Sequence, residues 1–344
     1  MKQARRDFLK TAGMASLGIP LLAMRPAERN ARPEIPALIK PPALKYGDTI
    51  AITSPAGAVW DSKQVDGFCS ILHKLGFKTI NGQTLTERYG YFAGTDALRA
   101  NELNAFFLDK DVRAIFCMKG GWGCGRILPM LDYEIILANP KILMGFSDIT
   151  SLLIGILSKT GLVGFHGPVG NSGWNDFTTD YVKRVLINKE AAVFTSTGKE
   201  EDKPVVLFPG KVTGALVGGN LSVIASMMGT DYLPSWKNKI LFLEETGEEP
   251  YRIDRMLTQL KLCGVLDQIG GFVFGKCVKC LAEEPAKAFT FQQVLEQQIT
   301  PLKIPAFYGA MIGHIENKFT LPIGVEAELD TASGTLRLLE AAVS

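Results

Sequence analysis

The sequence is poor in histidine and cysteine and has no strong excess of charge of either sign. Only three histidines occur in 344 residues, His73, His166 and His314, so imidazole chemistry has few possible locations. Six cysteines in a chain of this length do not make a disulfide scaffold. The 37 lysines and arginines nearly balance 35 acidic residues and form no basic stripe, which argues against nucleic acid as a partner.

Long hydrophobic runs are also missing. Beyond the first two dozen residues, no apolar run approaches the roughly 18 residues that a membrane-spanning helix needs, so a protein with several spans is excluded. The composition, 47% apolar and 21% charged, is typical of a globular protein, and the length predicts about two domains.

Metal-binding patterns are weak. Cys277-Val-Lys-Cys280 is the only Cys-x-x-Cys, and no second pair or histidine cluster stands at zinc spacing. We interpret this segment as a strand, on which positions i and i+3 face opposite sides, and predict two unlinked thiols rather than a redox pair. The sequence therefore predicts no metal site.

Residues 1–27 have the features of a targeting segment. Arg5 and Arg6, followed by Asp-Phe-Leu-Lys and a weakly apolar stretch, resemble a twin-arginine export signal. An amphipathic N-terminal helix is the alternative, and cleavage could follow Ala23 or Ala27. We expect an exported, periplasmic or otherwise extracytoplasmic protein whose mature chain has no membrane span.

The remaining chain alternates apolar strands with amphipathic helices. This rhythm predicts an α/β fold with a mostly parallel sheet covered by helices on both faces. We predict an extended lead over 28–43, an N-terminal α/β domain over 44–190, a linker over 191–209 and a smaller mixed α/β domain over 210–344.

Ser147 stands between a buried strand and the start of a helix, in Ile-Leu-Met-Gly-Phe-Ser-Asp-Ile-Thr. A tight turn there would lift Oγ clear of the sheet, and the amide of Asp148 would face a developing oxyanion. The trailing glycine of the α/β-hydrolase turn is absent. Ordinary helix capping by the serine and aspartate is the competing interpretation.

A glycine-rich loop from Cys117 to Gly125 follows another buried strand. Glycines let backbone N–H groups approach a ligand closely, so this loop could supply a second oxyanion donor. A phosphate-binding loop is the alternative, but no Gly-Lys-Ser/Thr follows.

A general base must come from the histidines. His73 lies in an amphipathic helix, and His166, before Gly-Pro at a strand end, could hold a loop. His314 lies at a strand end that runs into a polar turn, a commoner place for a catalytic group. Glu244, at the end of a buried strand, could orient an imidazole, with Glu245 as the alternative. A glycosidase carboxylate pair stays open among Glu244, Glu245, Glu248 and Glu249.

With Ser147, Glu244 and His314 in that order, the chain resembles the LD-carboxypeptidases, serine peptidases that include the microcin C self-immunity peptidases. The matching segments span nearly the whole mature chain: TSPAG (53–57), YFAGTDALRANELNAFF (91–107), MKGGWGCGRILPMLD (118–132), KILMGFSDIT (141–150), FHGPV (165–169), GGNLSVIASMMGTDYLP (218–234), ILFLEETGEEPYRIDRMLTQL (240–260) and GH…LPIG (313–324). The glycine loop departs from the family, which usually has arginine and tyrosine where this chain has Lys119 and Trp122.

The resemblance implies a flavodoxin-like N-terminal domain, a smaller swivelling C-terminal domain and a homodimer. It implies Ser147 as nucleophile, His314 as base and Glu244 as its orienting acid, with the amides of Gly121 and Asp148 as the oxyanion hole. The implied substrate is murein tetrapeptide, a muropeptide, cut before its terminal D-alanine without metal or cofactor.

Substrate contacts stay open at this point. The free carboxylate of the substrate should meet a cation, for which Arg99, Arg126 and Lys119 are candidates, and Trp122 is a further contact candidate. A microcin-type toxin hydrolase would need an aromatic wall, which Trp122 and Trp174 could form. A periplasmic-type binding protein with two α/β lobes and no catalysis is the third hypothesis.

Overall fold

The structure, a computed structural model, describes residues 36–344. The predicted export signal, 1–27, and the first part of the predicted lead lie outside the described residues. The described chain forms one compact unit that contains two β-sheets. Within these residues, no helix has both the length and the apolar character needed to cross a membrane.

The first sheet accounts for the apolar strands of the N-terminal half. Its parallel strands are β1 (Thr49–Thr53), β2 (Lys78–Asn81), β3 (Val112–Cys117), β4 (Ile142–Gly145) and β5 (Gly164–His166). They lie in the order β2-β1-β3-β4-β5, and β12 (Leu321–Ile323) adds an antiparallel edge beside β5. This order confirms the predicted flavodoxin-like sheet.

Helices cover this sheet and begin where the sequence provides capping residues. They are α1 (Ser62–Lys74), α2 (Asp96–Leu108), α3 (Cys124–Ile127), α4 (Tyr133–Ala138), α5 (Thr150–Thr160) and α6 (Asp176–Leu186). Asp61, Thr95 and Asn175 accept hydrogen bonds from the first turns of α1, α2 and α6. α5 is buried almost throughout, because it packs between the first sheet and the second.

The second sheet is mixed, as predicted for the C-terminal half. Its strands are β6 (Val193–Phe194), β7 (Val205–Phe208), β8 (Lys211–Asn220), β9 (Ile240–Glu244), β10 (Gly271–Gly275), β11 (Ala306–Ala310), β13 (Glu326–Asp330) and β14 (Thr335–Leu338). β8 to β11 run parallel at its centre, with antiparallel neighbours outside. Its helices are α7 (Leu221–Ser226), α8 (Pro250–Leu262) and α9 (Phe291–Ile299).

The chain crosses between the two sheets more often than the predicted domain ranges allow. The predicted linker, 191–209, contains β6 and β7, which pair with β14 and β11. β12, from the predicted C-terminal domain, returns to the first sheet. Strands of two to four residues are too short to show a periodicity, so a sequence pattern does not assign them to a sheet.

The prediction of two unlinked thiols is wrong. Cys277 and Cys280 form a disulfide, with their Cα atoms 5.6 Å apart. β10 ends at Gly275, so both cysteines lie in irregular chain after the strand, where the alternation of side chains does not apply.

Candidate active site

Ser147 opens the turn between β4 and α5. The strand ends at Gly145, and a short 3-10 turn over Ser147–Ile149 leads into the helix. The φ of Ser147 is +63°, in the left-handed region that side chains other than glycine seldom adopt. The capping alternative is not realised, because neither the turn nor α5 has a side-chain cap. The residue instead lines a cavity of about 430 Å³.

The second sheet supplies the groups that face Ser147. Glu244 is the last residue of β9, and His314 follows β11. His314 Nε2 lies 3.2 Å from Ser147 Oγ, and His314 Nδ1 lies 2.8 Å from Glu244 Oε2. The three groups form a continuous hydrogen-bonded chain from the hydroxyl to a fully buried carboxylate. This arrangement can activate a serine as a nucleophile.

Close approach of the imidazole to the acid depends on Gly313. A Cβ at this position would lie 2.4 Å from Glu244 Oε2, and the φ of +100° also favours glycine. Complete burial raises the pKa of Glu244, but the two imidazoles that face its oxygens, His166 at 3.9 Å and His314 at 2.8 Å, outweigh the burial and hold this pKa at about 2. Glu244 is therefore ionised at neutral pH and can accept the Nδ1–H of His314.

The glycine loop packs directly against Ser147. A Cβ on Gly120 would lie 2.8 Å from Ser147 Cβ, so a larger residue would displace the serine. Gly121 and Asp148, the predicted oxyanion-hole residues, line the same cavity as Ser147. The carboxylate of Asp148 also accepts a hydrogen bond from the Cys124 N–H at 2.8 Å, which ties the nucleophile turn to the loop. Only the amide of Asp148 was predicted to matter.

A larger cavity of about 710 Å³ adjoins the active-site cavity and shares three of its lining residues, Trp122, Asp148 and Ser226. Tyr91 and Tyr232 add aromatic rings to its wall. Trp122 therefore borders both cavities, as a substrate-contact residue would. Trp174, the other candidate for an aromatic wall, packs against Phe68 and lines neither cavity.

The three candidate cations have different surroundings. Arg99 is fully buried and donates to the carbonyls of Pro55 and Gly123, so it holds the glycine loop from behind. Lys119 donates to a backbone carbonyl at 3.1 Å and lines neither cavity. Arg126 is half-exposed, pairs with Asp96 and lines the larger cavity. Of the three, Arg126 is placed to meet a ligand.

Asn220 and Glu245 complete the wall opposite Ser147, and neither was predicted in this role. Asn220 ends β8 and caps α7, while its Nδ2 donates to Glu245 Oε1 at 3.2 Å. The N–H of Ser222 donates to the other oxygen of Glu245 at 2.9 Å, and burial raises the pKa of this glutamate. Glu245 is thus engaged away from His314. The Gly-Gly-Asn sequence before an apolar helix is the signal that could have pointed to this wall.

The remaining alternatives find less support in the geometry. The side chain of His73 is exposed on α1, where its Nε2 lies 3.0 Å from Thr79 Oγ1, and it lines neither cavity. Glu249 accepts from the Glu283 N–H, Glu248 lines the cavity and pairs with Arg252 at 3.5 Å, and Glu244 is held by His314. Within residues 36–344, no three histidine, cysteine, aspartate or glutamate side chains cluster as a metal site would require.

The chain matches known proteins over most of its length. Residues 50–167 match the LD-carboxypeptidase N-terminal domain, and residues 213–329 match the LD-carboxypeptidase C-terminal domain. A probable murein peptide carboxypeptidase of Bacillus subtilis is 40% identical over 89% of this chain and 95% of its own length. A murein tetrapeptide carboxypeptidase of Pseudomonas aeruginosa is 31% identical over 82% of this chain and 92% of its own. The microcin C7 self-immunity protein MccF of Escherichia coli is 30% identical over 86% and 94%.

Solved structures share the whole fold. MccF in complex with glutamyl sulfamoyl guanosine superimposes with a TM-score of 0.82 at 28% identity, over 89% of this chain and 99% of that one. Muramoyltetrapeptide carboxypeptidase from Oxalobacter formigenes gives a TM-score of 0.72 at 28% identity, over 84% and 97%. The two domain matches and the 40% identity over most of the chain lead to one conclusion. The chain belongs to the LD-carboxypeptidase family of peptidases.

Proposed function

We propose that this peptidase is a serine LD-carboxypeptidase that releases the terminal D-alanine of murein tetrapeptide through an acyl-enzyme. The observation that carries the proposal is the hydrogen-bonded chain from Ser147 through His314 to Glu244. The relatives named as murein peptide and murein tetrapeptide carboxypeptidases support carboxypeptidase activity on peptidoglycan peptides.

The proposed mechanism follows from the atoms that face each other. Ser147 Oγ attacks the amide carbonyl while His314 Nε2 takes its proton, and Glu244 stabilises the resulting imidazolium through Nδ1–H. The amides of Gly121 and Asp148 would stabilise the oxyanion. His314 then protonates the leaving amine of D-alanine, and water hydrolyses the acyl-enzyme with His314 again as base.

Stereochemistry is the sharpest test of this proposal. A D-residue on the leaving side reverses the direction of its side chain, so a site built for it would misplace the carbonyl of the L-residue analogue. We expect free alanine from tetrapeptides that end in D-alanine, and little from those that end in L-alanine. The measurement is an amino-acid assay over a panel that varies the configuration at the last two positions.

The nucleophile is tested in the same assay. We expect Ser147→Ala to lower kcat by about 10³-fold or more, since the remaining site retains binding but not acyl transfer. An exposed serine of α1 provides the control Ser70→Ala, which should retain the parent rate. Release of D-alanine by Ser147→Ala at the parent rate would rule out the catalytic role.

The second candidate function is that of a microcin-type toxin hydrolase. It rests on the larger cavity, whose aromatic wall of Tyr91, Trp122 and Tyr232 suits a planar base. MccF, which shares the fold, forms a complex with glutamyl sulfamoyl guanosine. Hydrolysis of an acyl-sulfamoyl adenosine without action on tetrapeptide would favour this toxin hydrolase. Tight binding of either compound without turnover would favour a binding protein.

We also propose that the chain is exported by the twin-arginine route and acts as a homodimer in an extracytoplasmic compartment. Arg5 and Arg6 carry the export proposal, and a disulfide between Cys277 and Cys280 suits an oxidising compartment. We expect the parent in the periplasmic fraction and an Arg5→Lys/Arg6→Lys variant in the cytoplasm. Equal fractionation of the two proteins would contradict export by this route, and sedimentation of a monomer would contradict the dimer.

A further inference from the structure

A second histidine lies on the far side of Glu244 from His314. His166 is the last residue of β5, where it is in register with Gly145 of β4 and Leu321 of β12. Its side chain is almost completely buried, and its Nε2 lies 3.9 Å from Glu244 Oε1. The mechanism above uses only Oε2 of this carboxylate and gives His166 no role.

The two facing atoms have no other partner. His166 Nε2 and Glu244 Oε1 are both buried, and neither makes a hydrogen bond elsewhere in the described chain. An unpaired buried polar atom costs about 1–3 kcal/mol, and more when it belongs to a charged group. A small rotation of either side chain would bring the pair to hydrogen-bond distance. The contact would remove the cost of two unpaired buried atoms and so lower the free energy of the folded protein.

Aromatic rings separate this pair from water. The ring of His166 meets Phe146 and Phe242 edge-on, with centroids 5.9 Å and 5.4 Å apart. Phe146 also packs edge-on against His314, with a centroid distance of 4.8 Å. The packing restricts both imidazoles to orientations that face the carboxylate between them.

Few charged groups face this pocket. Lys318 Nζ lies 5.4 Å from the centre of the Phe146 ring, and burial lowers its pKa to about 8. Glu245 follows Glu244 in the chain and is engaged with Asn220 and Ser222. The charges of Lys318 and Glu245 act on Glu244, but neither side chain is hydrogen-bonded or ion-paired to it. His166 Nε2, 3.9 Å from Oε1, is therefore the donor that faces this oxygen at close range.

We propose that His166 is a positioning residue, which donates Nε2–H to Glu244 Oε1 and so fixes the carboxylate for His314. The acid is then shared by two imidazoles, one on each oxygen. Without the second donor, Oε1 stays uncompensated in a dry pocket, and the carboxylate rotates or takes up a proton. His314 would lose its acceptor in either case. This inference rests on the proposed function, because it deepens the role of Glu244 in serine activation.

Two substitutions separate the hydrogen bond from the packing. His166→Phe keeps a ring but removes the donor, whereas His166→Gln places an amide N–H near the position of Nε2. For His166→Phe we expect kcat for D-alanine release to fall about 10- to 100-fold, the equivalent of one hydrogen bond to a buried charge, with KM within about twofold of the parent value. His166→Gln should recover most of the rate.

The pH profile gives a readout that a loss of packing would not move. In His166→Phe the uncompensated carboxylate of Glu244 takes up a proton more readily, so the acidic limb of the kcat/KM profile, which requires this carboxylate to be ionised, should move to higher pH. His166→Gln should return the limb toward its parent position. Circular dichroism of both variants checks that they fold. If His166→Phe does not fold, the rate and pH profile of His166→Gln are compared instead with those of His166→Asn, whose shorter side chain does not reach the position of Nε2.

A serine-directed fluorophosphonate keeps this test independent of the natural substrate. We expect the parent to be labelled at Ser147, His166→Phe to be labelled at least about tenfold more slowly, and His166→Gln at an intermediate or parent rate. A labelled parent that leaves tetrapeptide intact would contradict the proposed function but not the role of His166. A folded His166→Phe variant with the parent labelling rate and pH profile, or His166→Asn equal to His166→Gln, would overturn the inference.

Discussion

Ser147 holds its side chain on a backbone that L-residues seldom adopt. Its φ of +63° is required by the tight turn between β4 and α5, and that turn directs Oγ toward His314. Such a conformation costs about 1–3 kcal/mol and persists where the surrounding structure enforces it. The turn therefore costs some stability and places the Ser147 hydroxyl within hydrogen-bond distance of His314.

Comparison of two inactive variants measures this cost. Ser147→Gly relieves the left-handed strain and Ser147→Ala does not, so we expect the glycine variant to be more stable by about 1 kcal/mol. Both variants lack the hydroxyl, so the lost hydrogen bond to His314 lowers their stability equally and does not affect the comparison. Urea denaturation of the two proteins provides the measurement. Equal midpoints, or a more stable alanine variant, would show that the turn is unstrained.

The ionisation of Glu244 links this residue to acid stability. Its folded pKa of about 2 lies below the ordinary value of 4.5, so the carboxylate contributes stability that is fully present above about pH 4.5. That contribution is lost as the pH falls through 2, because the unfolded chain then binds the proton more readily. We expect the stability of the parent to decline over this window and that of Glu244→Gln to change less. Denaturation at several pH values tests this, with the exposed Glu134→Gln as control.

At the scale of elements, the segment after β10 braces the wall of the active site. The carbonyl of Val278 accepts from the Gly247 N–H at 2.9 Å, and the Glu283 N–H donates to Glu249 at 3.0 Å. The Cys277–Cys280 disulfide closes the turn that contains Val278, and Glu283 follows this turn in the chain. The chain from Glu245 to Glu249, which contributes Glu245, Thr246 and Glu248 to the cavity lining, is therefore held in place by the segment after β10.

Removal of this disulfide should loosen the cavity wall. A bridge over so short a loop stabilises the fold by at most about 2 kcal/mol. We therefore expect the free energy of unfolding of Cys277→Ser/Cys280→Ser to fall by up to that amount, which lowers the urea midpoint. KM for tetrapeptide should rise because the wall moves, while kcat should change little because Glu244 is held within β9 and by its hydrogen bond to His314. Cys263→Ser, which removes an exposed free thiol, serves as the control. Unchanged KM and stability in the double variant would contradict the bracing role.

At the scale of the whole molecule, the proposed catalysis requires the two sheets to keep a fixed position relative to each other. Thr150, at the start of α5, accepts the N–H of Asn220 from the end of β8 at 3.0 Å. The strand β12 continues the first sheet from a chain segment that follows His314. These contacts set the distance between Ser147 on one sheet and His314 on the other.

Loss of the Thr150 hydroxyl tests this coupling. Thr150→Val keeps the volume but leaves the buried Asn220 N–H without its acceptor, which should cost about 1–3 kcal/mol of stability. We expect kcat to fall as well, because the two sheets can then separate slightly at the active site. Ser158→Ala, on the same helix, removes a buried hydroxyl without a partner and should be neutral or stabilising. If both variants behave alike, the hydroxyl of Thr150 does not couple the sheets.

Local features of this protein were readable in the sequence. Apolar runs that end in glycine and polar turns marked β1, β3, β4 and β9, because buried parallel strands have to be continuously apolar. The turn at Ser147 was visible because strand, turn and helix follow one another within ten residues. The histidine and acid could be narrowed to a few candidates, since the chain has so few imidazoles and so few carboxylates after buried strands.

Contacts between distant segments were decided only by the tertiary structure. Oγ of Ser147 and the ring of His314 stand 167 positions apart, and their distance of 3.2 Å depends on how the sheets pack. The burial of Arg99 behind the glycine loop and the position of His166 against Glu244 depend on the same packing. Hydrophobic periodicity and turn chemistry act over a few neighbours, so the sequence predicted the longer strands, the longer helices and the candidate side chains but not β6, β7 and β12. Which of those side chains meet was decided by the tertiary structure, because hydrogen bonds between distant segments form only when the two sheets are brought together.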